Sequence, residues 1–170
     1  PHLLRIALDE DDQHITFYSD PVKTAESINQ HSSKDAEKWP EFTTYISKLT
    51  HFLESIYRIT PPIMSELSFK DAFSMSTMLK HIWQFGNRGL IDTIRSVPMM
   101  MPDFLEEWFE SELLMGSLAA SGITNITQGP YSAATVLNFL HQHIHTKGNI
   151  HNAHFVIGGT DQFAKALCQV

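Results

Sequence analysis

A glycine pair near the end of the chain has the residue types of a strand–turn–helix connection. An apolar run at 155–157 precedes Gly158 and Gly159, and Thr160 with Asp161 then begins a pattern typical of a helix. Glycines permit positive φ and the close approach of another body. The first turn of a helix also presents unpaired backbone N–H groups, which can hold a polar ligand. Taken alone, this signal is weak, and an ordinary strand-to-helix turn that binds nothing is the favoured interpretation.

Histidines crowd the region just before this turn. They are His141, His143, His145, His151 and His154. On a helix, His141 and His145 would share one flank at a spacing used by metal ligands. No cysteine is close, and no glutamate stands where the His-Glu-x-x-His pattern requires one. Solvated histidines are therefore the favoured interpretation, no metal site is predicted, and a His-rich metal binder stays an alternative class of function.

An acidic run surrounds Trp108 and Phe109. It consists of Glu106, Glu107, Glu110 and Glu112. Paired carboxylates can perform acid–base catalysis when burial separates their pKa values. These residues fall mostly at the start of a predicted helix, where the helix dipole favours negative charge. A solvated acidic face is the simpler interpretation, and no catalytic residue is predicted.

A methionine run at 99–101, followed by Phe104, can serve two purposes. Methionine adapts to varied shapes and can line an apolar substrate tunnel. Filling the hydrophobic core is the commoner use of such residues. Both interpretations remain open from the sequence.

The elements that position these residues are mostly helices. Segments 3–8 and 14–18 alternate like strands around an acidic turn, which predicts a β-hairpin. Asp20 and Pro21 are an N-cap and first-turn pair for a helix to about Gln30. Ser32 or Ser33 caps the next helix.

Later helices follow from helical spacing of apolar residues. Asp35 complements the dipole of the helix capped by Ser32 or Ser33, and Pro40 is expected to kink or restart that helix. Further helices are predicted over 69–83, 90–97, 101–108 and 110–121, with Gly122 as a C-cap. The last long helix is predicted over 132–145.

Composition excludes several classes of function. The chain has 170 residues, with 42% hydrophobic and 18% charged residues and a formal net charge of −7. An acidic balance without a basic stripe argues against nucleic acid as a partner. Cys168 is the single cysteine, which excludes an internal disulfide. No apolar run is long enough to span a bilayer, and a cytoplasmic location is the default expectation.

The order of motifs resembles a known family. Phe109 and Ser111 precede a helix of small residues, Gly129 and Pro130 lead into a helix rich in leucine and histidine, and the glycine pair follows. This order resembles the middle of the phytoene-dehydrogenase-like FAD-dependent oxidoreductases, within the flavin amine-oxidase superfamily. Ala134 stands where that family usually has glycine, and Thr160 stands where it usually has methionine.

The resemblance implies a fold and a set of site residues. It implies an α+β, mostly helical chain, in which both ends contribute strands to a small antiparallel or mixed sheet under a helical lid. It implies cofactor contacts at Gly158, Gly159 and Thr160, and substrate contacts at Met99, Met100, Tyr131 and Gln162. An apolar or amine substrate would exchange a hydride with FAD, because the cofactor carries this chemistry.

The family's phosphate-binding loop cannot be found in this chain. No Gly-x-Gly-x-x-Gly can be drawn from the eight glycines, and that loop holds the flavin pyrophosphate. Residues 1–170 are therefore expected to be one unit, the substrate-binding portion of a longer flavoenzyme whose FAD-binding domain lies elsewhere. The chain alone is expected to hold no FAD, to be inactive, and to self-associate through exposed apolar surface. The alternative is a non-enzymatic helical protein-interaction domain.

Overall fold

Helices make up most of the structure, a computed structural model that describes residues 2–7, 14–58, 91–146, 150 and 157–168. The strands are β1 (His2–Ala7) and β2 (His14–Tyr18), and the helices are α1 (Pro21–Asn29), α2 (Ser33–Tyr57), α3 (Met101–Glu106), α4 (Glu112–Gly122), α5 (Thr135–Gln142) and α6 (Thr160–Cys168). A further helical segment covers 91–96. The predicted α+β, mostly helical class is confirmed. The helix predicted over 69–83 lies outside the described residues.

The predicted hairpin is confirmed. β1 and β2 pair antiparallel, with Arg5 opposite Thr16 and Ile6 opposite Ile15, and the register shifts between His2 and Leu4. On the β2 side that faces away from β1, the Thr16 N–H donates to the Ser27 hydroxyl at 2.9 Å. Side chains of α1 therefore occupy this edge of β2, as the bond from the Tyr18 N–H to the Thr24 hydroxyl at 2.9 Å also shows.

The third strand predicted at the C-terminal end falls mostly outside the described residues. Residues 154–156 are not among them, and Ile157 lies in a turn with 96% of its surface exposed. The shared sheet therefore stays a prediction.

Side-chain caps begin the first two helices as predicted. The Asp20 carboxylate accepts the Val22 N–H at 3.0 Å at the start of α1. The Ser32 hydroxyl accepts the Asp35 N–H at 3.2 Å at the start of α2. The expected restart at Pro40 is wrong, because α2 continues through this proline. Pro40 is exposed, and its own carbonyl accepts the Thr44 hydroxyl at 2.8 Å.

Two helix ends differ from prediction. Gly122 is not a C-cap: it is the last residue of α4, and Ile123 follows as the cap with φ of −110°. A Cβ at Gly122 would collide with the Met101 side chain, so this glycine serves close helix packing. The last long helix is shorter than predicted, because Ala134 has a left-handed φ of 62° and α5 starts only after it.

One hydrophobic cluster joins the elements. It contains side chains from β2, α1, α2, α3, α4 and α5, with Phe42 of α2 at its aromatic centre. Phe42 lies 4.8 Å from Phe109 and 6.1 Å from Phe104 between ring centroids. Such edge-on and tilted aromatic pairs add to the stability from burial alone.

Candidate functional site

The glycine turn has the backbone that only glycine adopts easily. Gly158 and Gly159 have φ of 86° and 85°, and the Gly159 carbonyl accepts the Gln162 N–H at 3.1 Å as α6 begins. A Cβ at Gly158 would lie 2.9 Å from Gln162 Cγ, whereas a Cβ at Gly159 would meet none of the described residues within 4 Å. The turn is therefore set by conformation, and its Gly159 side is open to another body.

The residues that follow this turn, Thr160, Asp161 and Gln162, are polar and exposed. Asp161 lies in the first turn of α6 and places negative charge at that helix end. That charge disfavours a phosphate group at this end of the helix. Gln162 lies against Gly158, and every described residue from Ile157 to Cys168 is exposed. Thr160 begins α6 in this exposed segment.

The predicted substrate contacts Met99 and Met100 lie on a segment bonded to the start of α5. The Pro98 carbonyl accepts the Ala134 N–H at 3.0 Å, and the Met99 carbonyl accepts the Val136 N–H at 3.3 Å. Met99 and Met100 are half-buried, and Met99 packs against the core. The methionine run thus fills part of the core and keeps part of its surface exposed.

Tyr131 lies on the loop that leads into the same junction. Its side chain is 73% exposed. The loop is bonded to the methionine segment through Thr135, so Tyr131 and the methionines belong to one region. The structure therefore groups the predicted substrate residues in two places: Met99, Met100 and Tyr131 near α5, and Gln162 at the exposed turn.

Thr135 is a residue that sequence reasoning missed. Its buried hydroxyl accepts the Met101 N–H at 2.9 Å and lies 3.0 Å from the Ser132 carbonyl and 3.1 Å from the Pro130 carbonyl, to which it can donate. One side chain thus joins the methionine segment to the loop that carries Tyr131. A threonine at the start of a helix often makes hydrogen bonds to nearby backbone groups. This tendency could have predicted the bonds of Thr135 to the Pro130 and Ser132 carbonyls.

The acidic run is paired at the surface rather than gathered in a cavity. Arg95 makes two hydrogen bonds to the Glu107 carboxylate, at 2.6 and 2.7 Å, and these bonds raise the pKa of Arg95. Lys34 pairs with Glu110 at 2.5 Å. The side chains of these residues are exposed to solvent, so the arrangement favours a solvated face over acid–base catalysis.

The described histidines of this region differ in burial and in their contacts. His141 is exposed, and its Nδ1 lies 3.2 Å from the Tyr57 hydroxyl. His145 lies in the turn beyond α5, so the two no longer share a helix flank. His143 is buried against Phe139. Within the described part of the chain, no group of three or more ligand-type side chains is placed to hold a metal. His151 and His154 lie outside it.

The candidate site residues therefore lie at a glycine turn beside an exposed helix and at the junction of the 98–100 loop with α5. The chain is similar to a rat protein named pyridine nucleotide-disulfide oxidoreductase domain-containing protein 2, with 20% identity over 182 aligned positions. The match covers 98% of this chain and 30% of that protein's length. This similarity indicates a distant relation between the chain and an oxidoreductase domain protein.

Other comparisons return nothing. No protein-family model and no solved structure matches the chain. Among the helices described by the structure, none combines the length and apolar character needed to cross a membrane.

Proposed function

We propose that this chain is the substrate-cavity portion of an FAD-dependent oxidoreductase of the phytoene-dehydrogenase-like family, and that the FAD-binding domain lies outside it. The main support is the span of the similarity, since nearly the whole chain aligns with under a third of an oxidoreductase domain protein. The missing Gly-x-Gly-x-x-Gly agrees with a chain that needs a separate phosphate-binding unit.

The chain's own residues would bind and orient the substrate. Met99 and Met100 offer adaptable apolar surface, and Tyr131 offers an aromatic ring on a loop that Thr135 anchors. FAD, when bound, supplies hydride transfer, while the protein excludes water and sets the geometry. An apolar or amine substrate fits this surface better than an anion does. Gly158, Gly159 and Thr160 would face the cofactor at the open turn.

The test uses the complete gene product that contains this chain. Purified protein is expected to show flavin absorbance near one FAD per chain, and Gly159→Val is expected to raise the dissociation constant for FAD by about fivefold to a hundredfold, because valine at positive φ is strained by roughly 1–3 kcal/mol. Gly116→Val is the control, since Gly116 is exposed within α4 and a Cβ there meets nothing within 4 Å. A wild-type protein without flavin contradicts the proposal.

A helical protein-interaction domain is the second candidate. Large exposed apolar side chains at Ile91, Ile94, Phe163 and Leu167 favour it. It predicts a flavin-free protein that captures a partner through these residues. The flavin measurement therefore separates the two candidates.

A further inference from the structure

A polar groove lies between strand β2 and helix α1. Its volume is about 290 Å³, which is close to the lower end of the range for small-molecule sites. On the β2 side it is lined by His14, Thr16 and Tyr18, which alternate along the strand and therefore share one face of it. Ile15 and Phe17, between them, are buried in the hydrophobic core. The groove thus lies on the face of β2 that points away from the core.

Two hydroxyl groups lie at the floor of this groove. Thr16 is only 7% exposed, and its hydroxyl makes no hydrogen bond with any residue in the described part of the chain. The Ser27 hydroxyl accepts the Thr16 N–H at 2.9 Å, which leaves the Ser27 hydroxyl hydrogen available to donate. A buried hydroxyl without a partner lowers stability. The floor therefore offers hydrogen-bond donors to a ligand that carries acceptor atoms.

Opposite charges line the α1 side of the groove. Lys23 and Glu26 are three residues apart on this helix, a spacing at which side chains are neighbours. They form no ion pair with each other or with another residue that the structure describes. Lys38 and Glu41 have the same spacing and order on α2, and they pair at 3.1 Å. The spacing therefore permits a salt bridge, and at the groove both charges stay available to a ligand.

We propose that this groove binds a free α-amino acid through its carboxylate and ammonium groups. The ligand carboxylate would accept from the Lys23 ammonium and from the floor hydroxyls of Thr16 and Ser27. The ligand ammonium would donate to the Glu26 carboxylate. A simple anion would be repelled by Glu26 and a simple cation by Lys23, whereas a zwitterion pairs with both.

This site does not depend on the proposed function. None of its residues is among those assigned above to FAD or to the oxidoreductase substrate. The flavin measurement and the binding measurement that follows can therefore fail separately.

The experiment is a ligand-observed NMR titration of the complete gene product. The probes are L-alanine, L-glutamine and L-phenylalanine, which differ only in side chain, together with ethylamine, propionate and glucose. Ethylamine is alanine without its carboxylate, and propionate is alanine without its ammonium group. L-Alanine is expected to bind at least about tenfold more tightly than either, because each lacks one charge-assisted contact.

Substitutions in the groove assign each contact. Thr16→Val keeps the side-chain shape and is expected to weaken amino-acid binding by about tenfold or more, the loss of one hydrogen bond to a charged group. Thr16→Ser keeps the hydroxyl and should bind close to wild type. Lys23→Gln should weaken L-alanine but not ethylamine, and Glu26→Gln should weaken L-alanine but not propionate. Lys38→Gln is the matched control, because it removes the same charge at the same spacing outside the groove.

Four results would overturn the proposal. The first is that none of the three amino acids binds. The second is that ethylamine or propionate binds as tightly as L-alanine, since one charge would then suffice. The third is binding of glucose in place of the amino acids, which identifies a neutral polyol as the ligand class. The fourth is an equal effect of Lys23→Gln and Lys38→Gln, which places the amino acid outside the groove.

Discussion

The Asp35 carboxylate accepts the backbone N–H of Ser111 at 2.9 Å and that of Glu110 at 3.0 Å. Asp35 is buried in the first turn of α2, and its two donors immediately precede α4. One side chain therefore joins the starts of two helices that lie about seventy-five residues apart in sequence. Charge-assisted hydrogen bonds to backbone N–H groups are among the stronger ones in proteins.

Asp35→Asn is expected to lower the free energy of unfolding by about 2–3 kcal/mol. The amide nitrogen of asparagine would face a backbone N–H, so one buried donor loses its acceptor. Denaturant unfolding measures the change, and Glu37→Gln on the exposed side of the same helix is the control. A loss no larger than that of the control would mean that this contact adds nothing.

Asp35 also shows how far sequence reasoning reaches. The Ser32 cap and the position of Asp35 near a helix start depend on neighbours within a few residues, and both were predicted. The contact with Ser111 depends on how two helices meet in space, and no local pattern encodes it. The failed C-cap at Gly122 has the same origin, because its contact with Met101 comes from packing.

Ala134→Gly is expected to stabilise the protein by about 0.5–1 kcal/mol. Ala134 has a left-handed φ of 62°, which strains an L-residue with a Cβ by about 1–2 kcal/mol, and the greater chain entropy of glycine offsets part of the gain. Thermal or denaturant unfolding is the measurement. Ala133→Gly is the control, because Ala133 is an exposed neighbour without positive φ and should give no gain.

Two glycines of α4 are expected to respond to alanine in opposite directions. Gly122→Ala should destabilise the protein by about 1–3 kcal/mol, because the new Cβ collides with the Met101 side chain and approaches the Thr135 carbonyl to 3.3 Å. Gly116→Ala should stabilise it by about 0.5–1 kcal/mol, because that Cβ meets nothing within 4 Å and alanine favours helix. Equal effects of the two substitutions would contradict the packing at Gly122.

In the candidate site too, features that depend on neighbouring residues could be predicted, and features that depend on packing could not. The glycine pair has the positive φ that its residue types favour, because backbone freedom is a local property. The bond from the Met101 N–H to the Thr135 hydroxyl could not be read from spacing, since these two residues meet only when α3 and α5 pack. The roles of Gly158, Gly159, Thr160, Met99, Met100, Tyr131 and Gln162 in binding stay predictions.

His143 is the described histidine whose burial has a consequence for pH dependence. Burial lowers the pKa of His143 below its usual range, although its bond to the Phe139 carbonyl acts in the opposite direction. The Nδ1 atom lies 2.6 Å from that carbonyl oxygen, so Nδ1 carries the hydrogen and donates it. The folded state therefore holds a neutral imidazole at neutral pH.

The sign of the pH effect follows from proton linkage. Below the ordinary histidine pKa of about 6.5, the unfolded chain takes up a proton at residue 143 before the folded protein does. The contribution of His143 to stability is thus present above about pH 6.5 and is lost as the pH falls toward the lowered pKa. His143→Gln keeps a side-chain N–H donor and removes the titration, so the wild type should lose more stability than the variant between about pH 8 and pH 5. Denaturant unfolding at several pH values measures both proteins, and the difference between them cancels the other histidines. Parallel curves would show that residue 143 has the same pKa in the folded and unfolded states.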